Sequence, residues 1–260
     1  MRRTVSKEIF SELTQGYAQQ REAFESERRR EEKFKKQLRE VPQKPWQEYD
    51  EGLKKFEESF LEIVPLGFND YLKKRFGERM GSLIGIELGG PGSKFFGELG
   101  GFKKSLGITV CDLRDTLQSP EEKAADKARN HSVMEGDVFR RDSVDEAKAW
   151  LRGEKADFIV ERIKGGWGRN PLNMPLFAKS LSRWYELLGD RGTMILQNPF
   201  ASTVNRERED FRYFHTQYHI WLKMFKEKYR GNLNILSGNY DTLKIEKEGN
   251  APSKIEVLKF

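Results

Sequence analysis

The chain is short of the residues that build metal and redox centres: among 260 residues there are one cysteine and three histidines. A lone Cys111 excludes an internal disulfide framework and any paired-cysteine metal or iron–sulfur motif. It also fits a reducing compartment. Long apolar runs are missing too, and none approaches the roughly 18–20 residues that a membrane-crossing helix needs. The opening residues, MRRTVSKEIFSELTQ, carry basic groups but no apolar stretch, so they do not read as a secretory signal. The expected location is cytoplasmic. Charge of one sign is scarce as well: 47 Lys and Arg face 41 Asp and Glu, for a net +6. That balance is compatible with a polyanionic partner such as a nucleic acid but does not demand one.

What the sequence does have is aromatic mass. Eighteen phenylalanines within a 12% aromatic content argue for a packed core rather than disorder. The length accommodates one large α/β domain with an appendage, or two small domains.

Composition changes near residue 80. Residues 6–41 almost lack Gly and Pro, and opposite charges fall four apart at Glu25/Arg29, Glu31/Lys35 and Glu32/Lys36, as on an exposed helix. PQKP at 42–45 breaks that helix. A second helix is expected over 46–63, with Trp46, Tyr49, Leu53, Phe56, Phe60 and Ile63 at helical spacing. A third is expected over 68–76. Residues 1–80 therefore read as an α-helical N-terminal extension, and 81–260 as an α/β domain. The extension could be a lid, a binding arm or the contact of a homodimer.

From residue 82 the period switches. Strands are expected at SLIGIEL, LGITVCDLRD (106–115), SVMEGDVF (132–139), ADFIVERI (156–163) and GTMILQNPF (192–200). Helices are expected at SKFFGELG, at 143–153 with Ser143 as a cap, at 174–189 closed by Gly189, and at about 206–229. Two late strands, NLNILSG and KIEVLKF, would form an antiparallel hairpin at the sheet edge. Alternating strands and helices imply right-handed crossovers and a largely parallel sheet.

Ligands of such sheets bind beyond the carboxyl ends of the strands. Each early strand ends there in something chemically useful. The first ends in Glu87 and the loop Gly89-Gly90-Pro91-Gly92-Ser93, the second in Asp112 with Arg114 and Asp115, the third in Asp137, and the fourth in Glu161-Arg162. A glycine loop lets backbone amides approach a ligand closely. A carboxylate after the second strand can accept hydrogen bonds from both hydroxyls of a ribose. The plainer alternatives are a tight strand-to-helix turn, a helix cap at Asp112 and a turn aspartate at Asp137.

The ordered set ELGGPGS, VCDLRD, MEGDVF and FIVERI resembles the class I, Rossmann-like S-adenosylmethionine-dependent methyltransferases over about residues 82–260. The resemblance implies a mostly parallel seven-stranded sheet with a reversed seventh strand, and S-adenosylmethionine as cofactor. It implies that Glu87, Gly89, Gly90, Gly92 and Ser93 contact the methionine end, Asp112 the ribose, and Asp137 with Val138 the adenine. The family's first motif is acid-x-Gly-x-Gly-x-Gly, whereas here Pro91 and Ser93 stand at the second and third glycine positions.

Glu161 could orient a methyl acceptor or act as a base, with Arg162, Lys164 and Arg169 binding an anionic substrate; a structural ion pair is the plainer alternative. Gln197-Asn198-Pro199-Phe200 carries one proline and reads as a strand-ending turn. His215 and His219 stand one helical turn apart without a third ligand, so no metal is expected. The leading expectation is a methyltransferase whose acceptor is a small molecule or a nucleic acid. Two rivals are a binding or scaffold protein that kept the fold and lost catalysis, and a nicotinamide-dependent oxidoreductase, whose Gly-x-Gly-x-x-Gly pattern GGPGSKFFG does not match.

Overall fold

The segment LIGIEL forms β1 (Leu83–Leu88), and all 6 of its residues are buried. A strand covered by helices on both faces takes this form, an unbroken apolar run rather than an alternating one. The structure is a computed structural model that describes residues 50–109, 119–162, 174–197, 211–238 and 242–256. Two helices precede β1, α1 (Leu53–Phe60) and α2 (Gly67–Phe76). After it come α3 (Ser93–Leu99), β2 (Phe102–Thr109), α4 (Pro120–Ala128), β3 (His131–Glu135), α5 (Arg141–Leu151), β4 (Ala156–Glu161), α6 (Met174–Tyr185) and β5 (Leu188–Gln197). The chain then runs through α7 (Phe211–Lys228), β6 (Leu233–Gly238) and β7 (Thr242–Lys247).

The strands make one seven-stranded sheet in the order β3-β2-β1-β4-β5-β7-β6. β3, β2, β1, β4 and β5 run parallel, while β7 is antiparallel to both β5 and β6. The order reverses between β1 and β4, which places a crevice beyond their carboxyl ends. Among the described residues no helix is long and apolar enough to cross a membrane.

Alternation across the central strands sends side chains into two apolar layers. Ile84, Ile86, Leu88, Ile159, Met194 and Leu196 belong to a layer that includes Phe177, Trp184, Trp221 and Phe225 of α6 and α7. Leu83, Phe158, Val160 and Ile195 face the other way, onto Phe56, Phe60, Phe68, Phe95 and Phe96. Phe56 stacks on Phe95 with ring centroids 4.0 Å apart, and Phe68 meets Phe158 edge-on at 5.9 Å. Each fully buried phenylalanine contributes about 1.5–3 kcal/mol of transfer free energy. Helices α1 and α2, inside the stretch read as an extension, thus share one apolar cluster with the sheet.

Several sequence expectations are corrected. The helix expected over 46–63 begins at Leu53 among the described residues, after an extended Gly52. The third strand stops at Glu135, and Gly136–Phe139 turn instead. Ser143 is not a cap: it lies in the first turn of α5, behind an N-cap at Arg140, and its hydroxyl accepts the Asp137 amide at 3.0 Å. Helix α6 ends at Tyr185, and Gly189 belongs to β5. The partner of β6 is Thr242–Lys247 rather than KIEVLKF, whose described residues 254–256 form no strand. Helix α4 was not anticipated, although Ser119 and Glu122 make a full capping box ahead of Pro120. The expected helices upstream of residue 50 lie outside the described residues, as does the stretch 206–210.

Candidate active site

The loop after β1 is held in place from three sides. Gly89 takes φ +94° and its amide donates to the Ile108 carbonyl of β2 at 2.7 Å. The next turn brings the Pro91 backbone so close over Gly107 that a Cβ there would overlap the Pro91 carbonyl. That carbonyl can only accept, so the imidazole of His131 must donate to it through Nε2, at 2.8 Å. The neutral ring's Nδ1 then accepts from the Ser105 hydroxyl at 2.7 Å. Burial pushes the His131 pKa down, which keeps the ring neutral.

Gly92, at φ +75°, leads into α3. Ser93 is committed structurally: its hydroxyl donates to Asp126 of α4 at 2.8 Å, and Arg129 bonds the other Asp126 oxygen at 2.6 Å. Gly90 is buried within the same loop.

Glu87 projects from the end of β1 beneath this loop and is 3% exposed. Its Oε2 has no hydrogen-bond partner among the described residues. A Cβ on Gly92 would stand 3.2 Å from that oxygen, 3.2 Å from the Phe96 ring and 3.3 Å from the His131 ring, so a glycine lets the loop pack this closely against the carboxylate. Burial, then the nearby carboxylates of Asp50 and Glu161, raise the Glu87 pKa well above the usual carboxylate range. Asp50 is itself pushed up to about 6 by burial, against the opposing pull of the Lys94 amide, which donates to it at 3.0 Å. Three buried acids therefore gather at the point where the strand order reverses.

Glu161, at the end of β4, is fully buried, and its Oε2 accepts the Gln197 amide of β5 at 3.1 Å. Arg162 pairs with Glu51 and lies over the Phe56 ring at 5.1 Å. Burial lowers its pKa to about 10. In this arrangement Arg162 ties the chain ahead of α1 to the crevice.

Asp137 follows β3. One of its oxygens accepts the Phe139 amide at 3.0 Å in an Asx turn, so the turn reading and the ligand reading share one residue. The side chain of Val138 packs in the core. Its carbonyl accepts from Ser180 Oγ at 2.8 Å and Trp184 Nε1 at 2.7 Å. Cys111, Asp112, Arg114, Asp115, Lys164, Arg169, Asn198, Pro199 and Phe200 lie outside the described residues. Glu87, Gly89, Gly90, Gly92 and Glu161 converge at one edge, and Asp137 and Val138 follow a strand that ends at that edge.

The reversed strand implied by the sequence resemblance is β7, in the last position but one of the sheet. The fold is a Rossmann-like α/β fold, a mostly parallel seven-stranded sheet with one reversed strand. Similar solved structures include the MycE methyltransferase from the mycinamycin biosynthetic pathway, 11% identical, with a TM-score of 0.44 over 75% of this chain and 48% of that one. The chain thus spans about half of MycE's length. An O-methyltransferase from Bacillus cereus is 12% identical, with a TM-score of 0.42 over 94% of this chain and 93% of that one. The N-methyltransferase NodS from Bradyrhizobium japonicum WM9 is 14% identical, with a TM-score of 0.38 over 70% and 94%. No family model and no curated protein matches the sequence.

Sequence reasoning did not single out Asp50, Gly107, Asp126 or His131 for this edge. Asp50 fell inside the helix expected over 46–63 and carried no signal of its own. A glycine inside an otherwise apolar strand is a known sign of close backbone approach, and Gly107 carries it.

Proposed function

We propose that the chain is an S-adenosylmethionine-dependent methyltransferase, with the cofactor held across the ends of β1, β2 and β3 and the acceptor approaching from the end of β4. One observation carries this reading: a buried carboxylate oxygen on Glu87 that has no hydrogen-bond partner among the described residues, flanked by two further acids beneath a glycine loop. Such a group is costly to bury unless something cationic or hydrogen-bonding meets it. The residues fit a ligand that carries an ammonium and a sulfonium.

When bound, that cofactor supplies an electrophilic methyl group. The protein's part is largely positioning, which alone can account for several orders of magnitude in rate. Glu87 would accept from the ammonium, and the loop pinned by His131 and Asp126 would present its backbone to the methionine end. Asp137 keeps one oxygen in its turn and offers the other to the adenine side. Asp112 would take the ribose. Glu161, spent partly on the Gln197 amide, would orient the acceptor rather than serve as a free base. The acceptor class is a small molecule or a nucleic acid.

Titration calorimetry with S-adenosylmethionine, S-adenosylhomocysteine and NAD tests this reading. Binding of the first two and not the third is expected. Binding should also release protons, because a cation lowers the raised pKa of Glu87; buffers of different ionisation enthalpy reveal the release. Binding of NAD alone would overturn the reading. Transfer of a labelled methyl group to small-molecule or RNA fractions then tests turnover.

A further inference from the structure

Helix α7 carries a constellation that the crevice does not use. His215 and His219 lie one helical turn apart, and their Nε2 atoms face each other at 3.0 Å. The ring centroids are 4.3 Å apart and the planes cross at 70°. Phe211 stacks on His215 at 5.8 Å, and Tyr218 meets His219 edge-on at 5.8 Å, so neighbouring rings brace both imidazoles. His215 is half-buried and His219 is exposed, which leaves the pair open to solvent.

Two like nitrogens directed at one point can share a proton or a metal ion. Imidazole nitrogens bound to one ion at about 2.0–2.1 Å stand roughly 2.8–3.4 Å apart, from octahedral to tetrahedral angles. The observed spacing falls in that interval without moving either ring. We propose that His215 and His219 form a binding site for a late first-row divalent transition-metal ion of the zinc, nickel or copper class. Imidazole suits these ions, whereas magnesium and calcium take oxygen ligands. Among the described residues no third His, Cys, Asp or Glu completes a cluster with the pair.

The fold places this pair at a telling edge. β5 and β6 both run antiparallel to β7 and hence parallel to each other. Helix α7, which crosses between them, runs back against the strands. Its first turns, with His215 and His219, therefore lie toward the carboxyl edge of the sheet that also carries Glu87 and Glu161. Metal binding here does not depend on the methyltransferase reading.

The test uses the untagged full chain, stripped with chelator and then dialysed against Ni2+ or Zn2+, with Cu2+ followed by electron paramagnetic resonance. One equivalent is expected, and Cu2+ should show coupling to two nitrogens. H215A and H219A should each weaken binding by more than the roughly 10- to 100-fold cost of losing a mere supporting partner. Far-ultraviolet circular dichroism of both variants should match the parent, because alanine favours the helix. Equal metal binding by the H215A/H219A double variant, or no binding by the parent, overturns the proposal. Failure of S-adenosylhomocysteine to bind would bear on the proposed function alone.

Discussion

The buried acids set the behaviour of the site one residue at a time. Glu87→Gln keeps the shape but removes the charge that would meet a cation. A hydrogen bond to a charged group contributes about 1.5–3 kcal/mol, so S-adenosylmethionine affinity should drop roughly ten- to a hundred-fold in calorimetry. Unchanged affinity would remove Glu87 from the site. Asp50 gives a second test, through pH. Its pKa is raised from 3.8 to about 6 in the folded chain, so the native state holds its proton to higher pH than the unfolded state does. Stability from this group is therefore full below about pH 4 and is lost as pH rises toward 6. Asp50→Asn retains an oxygen for the Lys94 amide and discards the charge. The ligand-free variant should gain on the order of 2–3 kcal/mol over the parent at pH 7.5, and nothing at pH 3.5. Urea titrations at the two pH values measure the difference, and an equal gain at both would show that the charge is not the cause. Glu87 was legible in the sequence because an acid directly after an apolar run stands out. Asp50 was not, because its burial comes from contacts across the fold.

At the level of elements, the contacts that fix the loop after β1 are made by elements other than the strand it follows. Gly107 of β2 lies under Pro91 with no room for a side chain. Gly107→Ala must displace the loop or the strand, and overpacking of this kind costs about 1–3 kcal/mol. The expected result is a lower unfolding midpoint together with lost S-adenosylhomocysteine binding; retained binding would show that the loop position is not what the cofactor needs. Helix α7 holds the opposite kind of strain. Gln217 is fully buried, and among the described residues neither its Nε2 nor its Oε1 has a hydrogen-bond partner. Leaving such groups unsatisfied costs about 1–3 kcal/mol, so Gln217→Met, similar in volume and apolar, should raise stability by about that amount. A loss of stability would mean that the amide meets a partner in solution. The late hairpin shows why pattern reading has a limit here. Lys244 and Glu246 make TLKIEK look solvent-facing on one side, yet both are buried. Tyr71 of α2 donates to Glu246 at 2.5 Å, and Lys244 lies 4.8 Å from the centre of the Tyr71 ring. A distant helix satisfies those charges, and no local window contains it.

For the whole molecule, order along the chain carried most of what could be read beforehand. Strands alternating with helices after the change of period near residue 80 were enough to expect the parallel sheet, while its reversed strand was implied by the resemblance that the acids at successive strand ends carried. What stayed hidden is what depends on packing between segments far apart, and the role of residues 53–76 is the largest case. Phe56, Phe60, Phe68, Leu72 and Phe76 are all within 5% exposure and cluster with Leu83, Phe95, Phe158, Val160 and Ile195. Arg79, just beyond α2, pairs with Asp157, whose other oxygen accepts the Ile84 amide at 2.9 Å. A chain that starts at Ser82 would lose five aromatic and aliphatic anchors from one face of the sheet. At about 1.5–3 kcal/mol for each buried side chain, that loss is of the same size as the 5–15 kcal/mol by which a domain is ordinarily stable. Such a truncation should be unfolded or molten, with dye-binding apolar surface and no cooperative melt. A chain that starts at Asp50 keeps both helices and should melt cooperatively. If the shorter chain melted as cooperatively as the longer, α1 and α2 would be an appendage after all, and the aromatic layer beneath them would need another cover.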